Sequence, residues 1–385
     1  MRFNRTPDQD AEDSGPVSAG REARSSCHAL VTGGAGFLGR YIVEQLRQRK
    51  AQVTVFTRGD YPELGPLGVR LIRGDIRDAP ALHAACRDVD IVYHVAAKAG
   101  VWGAWKTFYE VNVTGTQNVI DACRANGVPK LIYTSSPSVI FDGTPHEGVD
   151  ETVPYPDQYE NPYPETKALG EQRALAANQA DLLTLSLRPH LIFGPRDNHL
   201  LPGLLSRARK GLVPQIGDGT NRVDLTYVED AARAHLLAAD ALEPGAPAAG
   251  EPGKGRAYFI SQDEPVVLWT WIRSFLARLE MPPVRLRLSL PVARSLSAVL
   301  VRIYRTLRLA GEPPLTPFLA SELAESHYYD ISRAKRELNY RPQLTMEEAT
   351  DRTVAWLRSR SGTGRVRQAT PVARARSAAS QGRGE

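Results

Sequence analysis

The chain has 385 residues, of which 42% are hydrophobic and 24% charged, and its formal net charge is +5. Residues 361–385 hold five arginines against one glutamate, a net of +4, so the rest of the chain is nearly neutral and offers no basic groove for nucleic acid. No run approaches the roughly 18 apolar residues of a membrane-spanning helix, which leaves only peripheral contact with a membrane.

The two ends of the chain differ from its middle in composition. Residues 1–26 are polar and lack the apolar stretch of a secretory signal, and residues 361–385 are rich in Arg, Ser, Gly and Ala. We predict a disordered leader and a disordered basic tail. The three cysteines have no CxxC spacing and the eight histidines are scattered, so the sequence predicts a reduced, cytoplasmic protein without a metal site.

From residue 28 onward, short β-branched runs alternate with helix-length segments. The first helix is predicted from about Gly36 to Arg49, where apolar side chains recur with helical spacing. The predicted strands of this part are 29–32, 52–56, 69–72, 91–94, 130–134 and 184–187. Strands that alternate with helices indicate an α/β fold with a doubly wound parallel sheet of the Rossmann type.

After Pro195 this alternation ends. The predicted elements there are a short helix at 200–210, a Gly-rich stretch at 217–219, a Pro/Gly-rich loop at 243–255, a strand at 258–261, a helix bearing Trp269 and Trp271, and a basic amphipathic segment at 291–309. We expect a main domain at 27–262 and a smaller, mainly helical substrate lobe at 263–357. Residues 199–222 of the main domain are expected to contribute to that lobe.

A glycine-rich turn, Thr32-Gly-Gly-Ala-Gly-Phe-Leu-Gly39, joins the first predicted strand to the first helix. Its glycines permit a tight turn, close approach of a pyrophosphate to the backbone and close packing of helix on sheet, and the helix N-terminus attracts negative charge. In this strand–turn–helix position the pattern predicts a dinucleotide site, which makes 27–262 an NAD(P)-binding domain. The predicted contacts are Gly33, Gly36, Phe37, Leu38 and Gly39.

The end of the second strand discriminates NAD from NADP. An acidic side chain there hydrogen-bonds the ribose hydroxyls of NAD, whereas an arginine accommodates the 2′-phosphate of NADP. This chain has Thr57 and Arg58 there, and its first acid is Asp60. A guanidinium matches a phosphate in geometry and charge, so the sequence favours NADP(H) over NAD(H), with a solvated Arg58 as the alternative.

The glycine spacing resembles that of the short-chain dehydrogenases, and further segments match the extended branch of that family in the correct order. Gly74-Asp-Ile76 resembles the turn that contacts the adenine, and His94-Val-Ala-Ala97 resembles the strand end beneath the cofactor. The resemblance implies an NAD(P)-dependent oxidoreductase that also contacts its cofactor through Asp75, Ile76, Ala96 and Ala97. Residues 187–195 resemble the loop along the nicotinamide, which implies a contact at Pro189 and a structural role for His190.

Tyr163 and Lys167 form a Tyr-x-x-x-Lys pair, whose spacing puts both side chains on one helix face. In the mechanism that the resemblance implies, the ammonium moves the pKa of the phenol from about 10 toward neutrality. The phenol then exchanges a proton with a carbonyl or carbinol while a hydride moves to or from the nicotinamide. Lys167 also contacts the cofactor, and Ser136 holds the reacting oxygen, with Ser135 and Ser138 as alternatives.

Asn112 matches a family position on the helix that precedes the strand at 130–134. A polar residue at that position helps to order the site. A helix cap is the alternative role for this side chain.

Residues 217–228 and 258–261 resemble the 3β-hydroxysteroid dehydrogenase branch of the family rather than the nucleotide-sugar epimerases. Within that branch, residues 96–103 and 308–319 are similar to bacterial 2-alkyl-3-oxoalkanoate reductases of long-chain olefin biosynthesis. This resemblance implies that the ketone of a 2-alkyl-3-oxo acid is reduced with NADPH to a 2-alkyl-3-hydroxy acid.

The same resemblance provides candidate substrate contacts. Lys98 and Arg222 are candidates for the substrate carboxylate, and Trp102 is a candidate for the alkyl chains. The apolar face of the segment 291–309 would enclose those chains; its members are Val292, Leu296, Val299, Leu300, Ile303 and Leu307. A lid helix packed on the core and a helix whose arginines meet lipid headgroups are the two other interpretations of this segment.

Three alternative functions stay open. The first is an NAD-dependent sterol or steroid 3β-hydroxy dehydrogenase, including the sterol 4α-carboxylate type. The second is a nucleotide-sugar epimerase, and the third is a dinucleotide sensor without catalysis, against which Tyr163 and Lys167 argue. The resemblance also implies a homodimer, and binding to other enzymes of a pathway stays open.

Overall fold

The computed structural model describes residues 26–361. The predicted leader, 1–26, and the predicted tail, 361–385, lie outside the described residues except for residues 26 and 361, and Ser361 is the last residue of a helix rather than part of a disordered segment. The strands are β1 (His28–Thr32), β2 (Gln52–Thr57), β3 (Arg70–Arg73), β4 (Ile91–His94), β5 (Lys130–Thr134), β6 (His146–Val149), β7 (Leu183–Pro189), β8 (Ile192–Phe193), β9 (Pro214–Ile216), β10 (Arg222–Val223), β11 (Thr226–Tyr227), β12 (Arg256–Ile260), β13 (Val266–Val267), β14 (Leu286–Leu288) and β15 (His327–Tyr329). The α-helices are α1 (Phe37–Gln48), α2 (Ala79–Ala85), α3 (Trp105–Tyr109), α4 (Gly115–Ala125), α5 (Pro162–Ala176), α6 (Leu200–Arg209), α7 (Val228–Ala241), α8 (Leu268–Arg278), α9 (Leu290–Thr306), α10 (Pro317–Ala324), α11 (Ser332–Glu337) and α12 (Met346–Ser361).

Seven strands form one sheet in the order β12-β7-β5-β4-β1-β2-β3. Every neighbouring pair in it is parallel, which confirms the predicted Rossmann-type sheet. All five residues of β1 are buried, as expected where helices cover both faces of a parallel sheet. The chain leaves β1 toward β2 on one side and later returns to β4 on the other, and ligands bind at the carboxyl ends of the strands at such a reversal.

Alternate residues of β1 belong to the two layers that sandwich the sheet. Ala29 and Val31 join a core with residues of α1 and α7, such as Ile42 and Leu236. Leu30 faces the other way, into a core with residues of α2 and α4. Because successive side chains of a strand point to opposite faces of the sheet, β1 is packed from both sides. This packing fixes the position of the strand end that leads into the glycine turn.

A third hydrophobic cluster is drawn from residues 191–227 and 266–357 and contains Trp269 and Phe275. Next to it lies a four-stranded sheet in the order β13-β10-β15-β6, and β14 pairs with β9. The short helix at 200–210 and the tryptophan-bearing helix form as α6 and α8. The domain division at residue 262 stays a prediction.

Helix α9 differs from the expectation for its apolar face. It docks through the small residues Ala293 and Ser297, which are fully buried. The larger apolar residues lie outside, because small residues let α9 pack closely while no element within residues 26–361 covers the adjacent face. Their exposures are Val292 53%, Leu296 45%, Val299 55%, Ile303 40% and Leu307 64%. The interpretation as a lid packed on the core through these five residues is therefore wrong, whereas enclosure of alkyl chains by this face stays a prediction.

Within residues 26–361, every helix is too short or too polar to cross a bilayer.

Candidate active site

The glycine turn between β1 and α1 is built by backbone packing. Gly33 has a φ of +69°, its N–H donates to the carbonyl of Phe56 (3.0 Å), and a Cβ there would lie 2.9 Å from the backbone of Ala96. At Gly39 a Cβ would lie 2.2 Å from the carbonyl oxygen of Gly33. Gly36 stays exposed at the N-cap of α1, where the first N–H groups of the helix have no partner within it. This cradle of unpaired donors fits a pyrophosphate.

A chain of hydrogen bonds connects β4 to this turn. His94 Nδ1 lies 2.8 Å from Thr32 Oγ1, and its Nε2 lies 3.1 Å from Thr116 Oγ1. Burial, helped by the charge of Lys167, lowers the pKa of His94 to about 3, so the imidazole stays neutral. The backbone N–H of Ala96 donates to Thr32 Oγ1 at 3.3 Å, which holds Ala96 and the adjacent Ala97 beside the glycine turn. Sequence reasoning used His94 only as part of a resemblance and missed this role.

Arg58 and Asp75 lie at the same end of the sheet, where β2 and β3 finish. Arg58 is exposed, and none of the described carboxylates forms an ion pair with its guanidinium. Hydrogen bonds from Arg77 lower the pKa of Asp75, with a smaller contribution from the charge of Arg58. Ile76 is buried against α4, where a Cβ on Gly115 would lie 2.7 Å from it. The guanidinium of Arg58 and the carboxylate of Asp75 therefore lie near each other at the ends of β2 and β3.

Tyr163 and Lys167 lie in the first two turns of α5. Asn161 caps the helix by accepting the N–H of Tyr163 at 2.8 Å. Lys167 is 3% exposed; its ammonium donates to the carbonyl of Thr134 (2.6 Å) and lies 4.2 Å from the ring centre of Tyr133. Burial lowers the pKa of Lys167 to about 7, against a smaller raising effect of Glu171. Lys167 is thus anchored to the end of β5 beneath the site.

Ser136 is the serine that meets Tyr163. Burial raises the pKa of the Tyr163 phenol, and its hydrogen bond with Ser136 opposes that rise. Ser138 donates to Ser136 Oγ at 3.0 Å, which supports that hydroxyl from behind. Ser135 instead interacts with Glu171, whose pKa it helps to lower.

From the family resemblance we expected the ammonium of Lys167 to lower the pKa of the Tyr163 phenol. In this structure burial has the largest effect, and it raises that pKa. The ammonium of Lys167 points to Thr134 instead. The expected lowering of the Tyr163 pKa by Lys167 is therefore not met, and the catalytic roles of Tyr163 and Ser136 stay a prediction.

A buried ion pair that sequence reasoning missed lies behind Lys167. Glu171 and Arg188 are 0% and 4% exposed, and Arg188 Nε donates to both carboxylate oxygens at 3.0 Å. Ser186 and Tyr155 donate to the same carboxylate at 2.8 Å and 2.6 Å. Burial alone would raise the pKa of Glu171, but Arg188, together with Ser135 and Tyr155, outweighs it and the pKa is lowered. The only sequence signal was Glu171 at i+4 from Lys167.

Asn112 lies in a π-helical turn, Glu110–Thr114, between α3 and α4. Its side chain accepts the N–H of Lys98 (2.8 Å) and donates to the Lys98 carbonyl (3.1 Å) and to Thr166 Oγ1 (3.1 Å). These bonds join the segment after β4 to α5, one residue before Lys167. The role is thus one of ordering the site, not of capping a helix, and π turns are frequent at functional sites.

The three substrate candidates are not brought together. Lys98 is half-buried with its ammonium 4.8 Å from the ring centre of Phe108. Trp102 packs edge-to-face on Tyr304 of α9, 6.3 Å between ring centres. Arg222 is exposed in β10, where its guanidinium lies 5.0 Å from the ring centre of Tyr328. Lys98 and Trp102 therefore border the loop that follows β4, whereas Arg222 belongs to the small sheet.

Pro189 ends β7, and the next residue, His190, belongs to a buried cluster with His327 and Glu322. His190 Nε2 lies 3.1 Å from His327 Nδ1, and His327 Nε2 lies 2.7 Å from the carbonyl oxygen of Glu322. The cluster offers three ligand atoms within 4.8 Å of one another. Both nitrogens of His327 and Nε2 of His190 are bonded within the cluster or to the backbone, whereas His190 Nδ1 is buried without a hydrogen-bond partner among the described residues. The structural role of His190 stays a prediction. Glu322 also raises the pKa of Tyr163, so α10 borders the site.

The doubly wound sheet, the glycine turn and the Tyr163–Lys167–Ser136 group define an NAD(P)-dependent oxidoreductase of the extended short-chain dehydrogenase/reductase class. Residues 30–292 match the model of the 3-beta hydroxysteroid dehydrogenase/isomerase family. The chain belongs to that family.

Two relatives differ in the substrate that their names state. A 2-alkyl-3-oxoalkanoate reductase of Stenotrophomonas maltophilia (strain K279a) is 47% identical over 85% of this chain and 98% of that protein. A decarboxylating sterol-4-alpha-carboxylate 3-dehydrogenase of Mus musculus is 39% identical over 84% of this chain and 89% of its own length.

Among solved structures, the dTDP-glucose 4,6-dehydratase DesIV of Streptomyces venezuelae with NAD and TYD bound has a TM-score of 0.67 at 26% identity, covering 87% of this chain and 98% of its own. That neighbour binds NAD in the same fold.

Proposed function

We propose that this protein reduces the 3-oxo group of a 2-alkyl-3-oxoalkanoate with NADPH. The observation that carries the proposal is the arrangement at the carboxyl end of β5, where Lys167 donates to the Thr134 carbonyl at 2.6 Å and Ser136 lies near enough to Tyr163 to oppose the rise in the pKa of its phenol. The relative of 47% identity that bears the name 2-alkyl-3-oxoalkanoate reductase supports this choice of substrate.

In the proposed reaction, Ser136 and Tyr163 hold the ketone oxygen of the substrate. The reduced nicotinamide supplies the hydride that reaches the carbonyl carbon. Tyr163 gives its phenolic proton to the oxygen, so the C=O bond becomes CH–OH. Lys167, anchored on Thr134 by a 2.6 Å hydrogen bond, lies one helical turn from the phenolate that remains, and the negative charge of that phenolate would favour the protonated ammonium.

The residues proposed to hold the cofactor extend from the glycine turn to the end of β7. Gly33, Gly36, Phe37, Leu38 and Gly39 would take the pyrophosphate, and Asp75 with Ile76 would meet the adenine. Ala96, Ala97, Lys167 and Pro189 would line the nicotinamide end. Arg58, exposed and without an ion-paired carboxylate among residues 26–361, would bind the 2′-phosphate, which favours NADPH over NADH.

A sterol 4-carboxylate 3-dehydrogenase is the second candidate, favoured by the 39% identity to the mouse enzyme. Both reactions act on an oxygen-bearing carbon next to the carbon that carries the carboxylate. The shared Tyr163–Ser136 pair would serve both, so the substrate pocket has to distinguish them.

The test uses the reverse reaction, since a 2-alkyl-3-hydroxy acid is stable. Purified protein is mixed with this acid and NADP+, or with NAD+, and the absorbance of the reduced nicotinamide is followed; a 3β-hydroxysteroid is assayed in parallel. We expect turnover of the hydroxy acid with NADP+ and little with the steroid. If the protein turns over only the steroid, with NAD+, the reductase proposal fails and the sterol dehydrogenase function is favoured.

A further inference from the structure

The apolar side chains that this protein leaves uncovered are concentrated in one place. Of the eleven large apolar residues that are exposed within residues 26–361, seven lie between Leu286 and Leu309. Five of them form a stripe along α9 and its C-cap, which we call the α9 surface: Val292, Leu296, Val299, Ile303 and Leu307. A contiguous exposed apolar stripe marks an interaction site rather than chance.

The charges around this stripe have a single sign. Residues 281–311 contain six arginines and no Asp, Glu or Lys. Five of the six arginines are exposed, namely Arg285, Arg287, Arg302, Arg305 and Arg308. Outside this segment and the basic segment 361–385, the sequence has 37 Lys and Arg against 42 Asp and Glu, so this cluster is a local feature. An apolar stripe flanked by arginines complements an anionic lipid surface, where the guanidinium groups meet phosphates and the apolar side chains enter the acyl boundary.

The α9 surface is connected to the candidate active site by direct contacts. Trp102 packs on Tyr304, and the Arg305 guanidinium lies 5.6 Å from the ring centre of Trp102. Arg294 donates to Ser321 Oγ of α10 at 2.8 Å. The next residue, Glu322, lies close enough to Tyr163 to raise the pKa of the phenol. A surface that binds α9 would therefore lie next to Trp102 and α10, which border the candidate active site.

We propose that the α9 surface docks this protein on anionic phospholipid bilayers. The inference goes beyond the proposed reaction, but the two agree in their chemistry, because a substrate with two alkyl chains partitions into a bilayer. With α9 lying in the headgroup region, the substrate would reach the site past Trp102 without crossing water.

The first experiment measures sedimentation of the full chain with vesicles, without substrate or cofactor. We expect the protein to sediment with vesicles of phosphatidylcholine and phosphatidylglycerol, and less of it to sediment with vesicles of phosphatidylcholine alone. Added salt should weaken the binding to the anionic vesicles. No binding to the anionic vesicles would overturn the proposal. Since no turnover is measured, this failure would leave the proposed reductase activity untouched.

Paired variants test the surface itself. The double change Val299→Ser with Ile303→Ser should weaken vesicle binding at least about tenfold, and Arg302→Ala with Arg308→Ala should weaken it about fivefold for each arginine removed. The matched controls are Leu71→Ser, on the exposed edge strand β3, and Arg336→Ala, on α11; both should bind as the unchanged chain does. Equal binding by all variants would contradict the assignment to α9.

A second copy of the chain is the other occupant that the experiment distinguishes. Light scattering on the unchanged chain and on the Val299→Ser, Ile303→Ser variant measures the mass in solution. If the variant lowers the mass, the α9 surface is an interface between copies and the lipid proposal fails. An unchanged mass, together with lost vesicle binding and normal thermal melting, supports it.

Discussion

Helices α1 and α9 both carry a regular apolar face, but the structure covers one face and exposes the other. Leu38, Ile42 and Leu46 of α1 are at most 7% exposed, whereas Val292, Leu296 and Val299 are at least 45% exposed. Helix α1 meets the sheet, and its start at the glycine turn is held by backbone contacts of about 3 Å. Helix α9 buries only the small residues Ala293 and Ser297 fully, and larger side chains such as Arg294 and Tyr304 make its other contacts. The comparison teaches that periodicity identifies an apolar face, while its burial depends on what the rest of the chain brings to it.

The largest expected effect is on the proposed reaction, which takes place at the well-packed end of the sheet where α1 begins. Tyr163→Phe removes the proton that the proposed mechanism delivers, so kcat should fall on the order of a thousandfold. Cofactor affinity, measured by fluorescence titration, should change little because the phenol is not among the proposed cofactor contacts. Retained activity, or loss of cofactor binding, would argue against the mechanism.

The next prediction compares the two helices directly with one type of substitution. Ile42 is fully buried in α1 and Ile303 is 40% exposed in α9. Ile42→Ala should reduce the free energy of unfolding by about 2–5 kcal/mol because it leaves a cavity. Ile303→Ala should cost less than about 1 kcal/mol. Urea unfolding of the two variants measures both values, and equal losses would mean that α9 is covered in solution.

A smaller effect is expected for the cofactor phosphate. Arg58→Ala should weaken NADPH binding about tenfold, since one charge-assisted contact to the 2′-phosphate is lost. NADH binding should be unchanged, which makes NADH the internal control. Arg70→Ala, an exposed arginine in β3, serves as the matched variant. If NADPH and NADH binding fall together, Arg58 has another role.

The smallest effect concerns the pH dependence of stability. The pKa of Lys167 is about 7 in the folded protein against an ordinary 10.5. Between these values the unfolded chain binds more protons, so this residue makes the free energy of unfolding rise with pH, by at most about 1.4 kcal/mol per pH unit. Lys167→Met should flatten that slope, whereas Lys106→Met, an 85% exposed lysine, should not. Unfolding curves at several pH values measure the slope of the free energy of unfolding against pH. An unchanged slope in Lys167→Met would mean that burial does not lower the pKa of Lys167.

Much of the cofactor half could be predicted because its signals are local. Strands β1 to β5 and β7 were predicted from β-branched runs, whereas β6 was not, and the glycine turn requires residues without a Cβ at Gly33 and Gly39. The Tyr163–Lys167 pair follows from helical spacing. The Glu171–Arg188 pair could not be predicted, because its members lie on α5 and β7 and meet only when the helix packs on the sheet.

The sequence by itself determined the alternating fold, the turn that suits a dinucleotide and the residue types of the candidate site, since each depends on backbone geometry within a few residues. Tertiary structure alone decided which serine meets Tyr163, where the ammonium of Lys167 points and which face of α9 stays exposed. These depend on contacts between segments far apart in the chain. Burial and neighbouring charge, which set the pKa values of Tyr163 and Lys167, come into being only when those segments pack together.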